Sequence, residues 1–74
     1  MLATKKFYAT WFNKPGSKIA VIEFMDSNGN WCGSHAYDFN PNNPLDFADQ
    51  VYEYADLTAK LKGGRLERML KGVE

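Results

Sequence analysis

A chain of 74 residues, 45% hydrophobic and 24% charged, has the composition of a folded domain with one hydrophobic core, and its length leaves little room for a second domain or a deep catalytic cleft. Its one cysteine, Cys32, excludes an internal disulfide and a cysteine-based zinc site, which fits a reducing cytoplasm. The formal net charge of zero argues against holding nucleic acid by bulk positive charge, no apolar run approaches the roughly 18 residues of a membrane helix, and Met1–Lys6 leads into no hydrophobic secretion signal.

The zero conceals a partition. Residues 1–18 carry Lys5, Lys6, Lys14 and Lys18 without an acid, residues 19–59 carry seven acids without a lysine or arginine, and residues 60–74 set Lys60, Lys62, Arg65, Arg68 and Lys71 against Glu67 and Glu74. Segregation of this kind produces a surface field even in a neutral molecule.

In chain order, Lys5–Phe12 is rich in aromatic and β-branched residues and predicts a strand ending at the turn Asn13-Lys14-Pro15-Gly16-Ser17. Lys18–Met25 predicts a second strand, and the Asn-Gly within Asp26–Asn30 predicts a hairpin into a third, Trp31–Phe39. Asn40-Pro41-Asn42-Asn43-Pro44 excludes a ladder and opens a helix, with Asn43 as N-cap, Pro44 at the first position and Asp46 near the positive dipole end. Helical spacing puts Leu45, Phe47, Ala48, Val51, Tyr52, Tyr54, Ala55 and Thr58 on one broad face and Asp46, Asp49, Glu53 and Asp56 on the opposite one. Leu57 falls near the acidic stripe and marks either a kink or an interface. Gly63-Gly64 ends the helix, and Leu66, Met69, Leu70 and Val73 keep the spacing of a short last helix. The expected fold class is therefore α+β: three, or at most four, antiparallel strands followed by two C-terminal helices packed on one face, in a single domain over residues 1–74.

Three constellations compete for function. Cys32 and His35 invite a nucleophile and base, but alternation along a strand points residues three apart to opposite faces, and no further histidine or cysteine completes a metal site. Catalytic residues, cofactor and metal are accordingly expected to be absent. The carboxylates Asp46, Asp49, Glu53 and Asp56 form a candidate contact for basic residues of a partner. The same alternation groups Trp31, Gly33, His35, Tyr37 and Phe39 on one side of the third strand, and the small side chains Cys32, Ser34 and Ala36 with Asp38 on the other. If the helix packs on the small side, the aromatic side faces outward, with Trp31, His35 and Tyr37 as anchors for a protein surface or for stacked bases.

In size, neutral charge and order of elements the chain resembles small phage-encoded anti-CRISPR proteins, in particular type I inhibitors in which antiparallel strands precede two helices. The residues carrying the likeness are Leu61-Lys62-Gly63-Gly64-Arg65-Leu66-Glu67-Arg68-Met69, a glycine break opening a charged terminal helix. The resemblance implies a phage inhibitor in the bacterial cytoplasm, monomeric or homodimeric, bound to a host protein or ribonucleoprotein such as a CRISPR surveillance complex. Three strands followed by a helix also resemble the arm-site DNA-binding domains of phage integrases, which lay a sheet in the major groove. For that alternative the phosphate contacts would be Lys5, Lys6, Lys14, Arg65 and Arg68, with an RNA stacking platform as its variant.

Overall fold

The computed structural model describes residues 4–73; Met1, Leu2, Ala3 and Glu74 lie outside it. Within that range β1 (Lys5–Asn13), β2 (Ile19–Asp26) and β3 (Trp31–Asp38) form an antiparallel meander, α1 (Phe47–Leu61) crosses the sheet, and β4 (Gly64–Lys71) returns. The strand order is β3-β2-β1-β4. β4 runs parallel to β1, so the sheet is mixed, and α1 is the crossover that a parallel pair requires.

Both predicted hairpins form. Lys14–Ser17 closes with Ser17 N–H donating to the Lys14 carbonyl at 2.9 Å, and the Asn13 amide reaches the carbonyls of Ser17 and Ile19 at 3.0 and 2.9 Å. In the second, Gly29 N–H donates to the Asp26 carbonyl at 3.1 Å, and only Gly29 takes a positive φ (82°) there. The Asn-Gly pair thus ends a three-residue loop with glycine in the left-handed position.

The predicted last helix is a strand. Leu66 and Met69, three apart, both pack against the core, a spacing that reads as helical. They share that side because the register with β1 shifts between Phe7 and Tyr8: Phe7 opposes Leu66 and Tyr8 opposes Arg68, leaving Glu67 as the extra residue of a bulge. Bonding to β1 satisfies an edge that would otherwise lie open, and that tertiary gain outweighs the helix propensity of Arg65–Lys71.

The core lies between the sheet and α1. Phe7, Ala9 and Trp11 from β1, Ala20, Ile22 and Phe24 from β2, and Val51, Ala55 and Ala59 from the helix are buried together. The three small helix residues and Ala9 let the layers approach closely, and Phe7 meets Phe24 edge to face at 6.4 Å. The helix begins later than its sequence predicts. Asp46, not Asn43, is the N-cap, its carboxylate accepting from Asp49 N–H at 2.9 Å, while Asn43 caps the preceding turn through Leu45 N–H at 3.0 Å. α1 runs unbroken past Leu57, and Leu57 stands exposed on it. Ala48 and Tyr52, expected on the buried face, are also exposed, and Gln50 is buried in their stead.

Candidate functional site

Among the described residues, only one side of the sheet is covered. Along β1, Phe7, Ala9 and Trp11 point into the core, so Lys6, Tyr8, Thr10 and Phe12 occupy the other side; along β2, Ala20, Ile22 and Phe24 do the same for Ile19, Val21, Glu23 and Met25. Residues paired across strands share a side, so the register draws the open face as rows. Arg68, Tyr8, Met25 and Trp31 form one row across all four strands; Leu70, Thr10, Glu23 and Ser34 form the next; Phe12, Val21 and Ala36 follow, and Ile19 lies opposite Asp38. Six large apolar side chains on this face are well exposed: Tyr8 37%, Ile19 49%, Val21 42%, Met25 42%, Trp31 62% and Leu70 52%.

Trp31 joins this row through a second bulge. Phe24 opposes Gly33 but Met25 opposes Trp31, so Cys32 is the extra residue, and Gly33 takes a φ of 122° that other residues rarely adopt. The bulge reverses the expected side of most of β3. Trp31 faces away from the helix, whereas His35 and Tyr37 turn toward it, with Phe39 following beyond the strand end. The His35 ring meets Phe24 edge-on at 5.4 Å, Tyr37 lies 5.2 Å from Tyr54, its hydroxyl donating to Gln50 Oε1, and Phe39 packs 5.4 Å from Phe47. The aromatic side therefore builds the interlayer, and the small residues Ser34 and Ala36 lie on the open side. The same bulge undoes the parity that separated Cys32 from His35. Cys32 also packs on the core cluster, its thiol directed to the Asn30 carbonyl at 3.4 Å, and no hydrogen bond links it to His35 among the described residues.

Burial, with a smaller contribution from the Lys62 ammonium, holds the His35 imidazole below its ordinary pKa of 6.5. Lys62 is fastened there: its Nζ donates to the Cys32 carbonyl at 3.1 Å and stands 5.7 Å from the centre of the Phe24 ring. A folded imidazole that binds its proton more weakly than the unfolded one contributes stability above about 6.5, and loses it as pH falls from there toward the depressed folded value. Urea midpoints are therefore expected to fall between about pH 7.5 and 5.5, and His35→Gln to flatten that slope. Asp26 acts in a separate window. Its carboxylate accepts N–H bonds from Asn30 and Asn28 at 2.9 and 2.8 Å, chiefly the former lowering its pKa from 3.8, so its contribution is lost only as pH falls below that.

The acidic stripe is reduced. Asp46 is spent on the helix cap, Asp56 pairs with Lys60 at 3.1 Å, and Asp49 and Glu53 remain exposed on the outer side of α1. Of the basic residues, Lys6, Arg65 and Arg68 gather at one corner of the open face, Arg65 bridging to Glu67 at 3.0 Å. Lys5 and Lys6 line an open cleft of about 630 Å³ with Tyr8, Asp26 and Asn28. Lys5 leans over the Phe7 ring at 5.4 Å, and Lys14 sits in the turn at the far end of β1.

No protein-family model and no curated protein matches the chain. The open face of the sheet is the candidate contact surface. Tyr8, Val21, Met25 and Leu70, which the sequence reading did not single out, are its main apolar members; period-two alternation about Phe7, Ala9 and Trp11 is the signal that identifies the β1 and β2 residues among them. Among the described residues no group of three or more His, Cys, Asp or Glu side chains could hold a metal ion, and no helix is long and apolar enough to cross a membrane.

Proposed function

We propose that the chain is a small non-enzymatic binding protein that works through the open face of its sheet, an inhibitor or adaptor of the kind phages direct at host nucleic-acid-targeting complexes. The observation that carries this is the uncovered face itself: a row of Arg68, Tyr8, Met25 and Trp31 flanked by Val21, Ile19 and Leu70. Contiguous exposed apolar surface is costly to leave in water, and Tyr, Trp, Met and Arg are the side chains enriched at protein contacts. Asp49 and Glu53, on the outer side of the helix, supply a second and acidic surface for a basic target. In the inhibitor reading the target is a CRISPR surveillance complex in the bacterial cytoplasm.

The gathering of Lys6, Arg65 and Arg68 beside Tyr8 favours one other reading, a single-stranded nucleic acid stacked on Tyr8 and Trp31. Glu23 and Asp38 on the same face oppose it. Two assays separate the readings. Expression in a bacterium with an active type I CRISPR system is expected to restore plaquing of a targeted phage, and Met25→Lys to abolish that rescue; absence of rescue by the wild type removes the inhibitor assignment. Salt-sensitive gel retardation of a single-stranded oligonucleotide would move the face to nucleic acid.

A further inference from the structure

Resting on the reading that the open face is a contact surface, we infer that its occupant is a second copy of this chain, giving a face-to-face dimer with both helices outward, so that pairing through the open face leaves the exposed Asp49 and Glu53 of each copy to meet the target. The rows are self-complementary. Place a two-fold axis parallel to the strands, between β1 and β2 and above the face: β1 of each copy then lies over β2 of the other, and β4 over β3, with every row kept on itself. The row Arg68, Tyr8, Met25, Trp31 then sets Tyr8 on Met25 and Arg68 on Trp31 of the second copy, each contact occurring twice. An aromatic ring on a thioether and a guanidinium on an indole are both favourable pairs. One row on, Thr10 lies over Glu23; in the next, Phe12 lies over Val21. An isologous interface requires this reciprocity.

Charge follows the same symmetry. Glu23, half-buried near the middle of the face, would be costly to cover alone. The axis places Arg68 of the second copy one strand and one row away, within reach of a long side chain, and the Thr10 hydroxyl directly above. The alternative axis, perpendicular to the strands, would stack β4 on β4 and bring the Arg65 and Arg68 segments together, which like charge disfavours. Size also agrees. Four strands at about 4.8 Å spacing and eight residues at about 3.3 Å present a patch of roughly 19 by 26 Å, so two copies cover on the order of 1,000 to 1,300 Å², the lower end of a specific interface. The Cα envelope of 43 × 26 × 15 Å is that of a thin slab, and aligned packing of two twisted sheets about 10 Å apart is an ordinary arrangement.

The test is sedimentation of the full chain at roughly 100 μM, where an interface of this size is populated. The expected mass is twice 8.4 kDa. Met25→Lys, at an exposed position that leaves folding intact by circular dichroism, should weaken association at least tenfold. Arg68→Glu and Glu23→Arg should each do the same, and the double variant should recover most of the loss, because the two sites meet only across the axis. A wild-type monomer overturns the dimer, as does a dimer indifferent to Met25→Lys, or a chain that pairs only with an added oligonucleotide. If the wild type is monomeric and Met25→Lys still abolishes the phage rescue, the dimer fails and the contact-face reading stands; if neither responds, both fail.

Discussion

Replacing Gln50 with leucine is expected to cost about 3 kcal/mol, although it removes a polar group from a buried site and alters volume little. Gln50 is 2% exposed and joins three segments. Its Oε1 accepts from the Tyr37 hydroxyl on β3 and from Asn40 N–H at 3.0 Å, and its Nε2 donates to the carbonyls of Asn40 and Leu45 at 3.1 and 2.8 Å. Leucine removes the Gln50 partner from all four groups, which lie half-buried or at the rim of the loop, and each lost bond costs on the order of 1 kcal/mol. For a domain of this length, with a total stability of roughly 5 kcal/mol, the midpoint in urea should fall by more than half. Tyr37→Phe should cost only about 1 kcal/mol, since Asn40 still occupies Oε1, and the double variant less than the sum, the mark of one shared network. Equal losses for the two single variants would show that the helix-to-loop bonds contribute nothing.

Gln50 also shows why part of this fold was hard to read. A helix face is inferred from apolar spacing, and a glutamine among Ala48, Asp49 and Glu53 counts as polar although its four partners make it the best-satisfied side chain of the interior. Meander, turns and glycine stop were legible because each rests on local chemistry: Pro15-Gly16, Asn28-Gly29 and Gly63 act through their own backbones. The two bulges were not. An extra residue at Cys32 turned Trp31 to the open side and Tyr37 to the helix, and one at Glu67 gave Leu66 and Met69 the three-residue spacing of a helix. A bulge is decided by the partner strand, and a single chain read in order carries no record of its partner. The candidate surface was legible to the same extent: Trp31 and Arg68 belong to it, while His35, Tyr37 and two of the four stripe carboxylates have structural partners instead.

Gly64→Val discriminates most sharply between the strand and the helix that the local sequence favours. Had Gly64 merely closed a helix and opened another, valine would be tolerated at a modest propensity cost, because nothing from β1 would stand beside it. In the mixed sheet Gly64 opposes Lys5, and a Cβ at this position would sit 2.3 Å from the Lys5 carbonyl oxygen and 2.8 Å from the Phe7 ring. One of those neighbours is backbone and cannot rotate away, and the other belongs to a ring that is 1% exposed and sealed by the core. Overpacking of this kind costs about 3 kcal/mol, the upper part of the usual range, and valine adds two methyl groups to the clash. The start of β4 must then part from β1, and the damage should travel along the ladder to Arg68 and Leu70, which reach the open face only through that pairing. The expected result is early hydrogen exchange at the amides of β4 with those of the β2–β3 hairpin still protected, together with loss of association. Retained stability with unchanged exchange would return Arg65–Lys71 to a helix and remove Arg68 from the row on which the dimer depends.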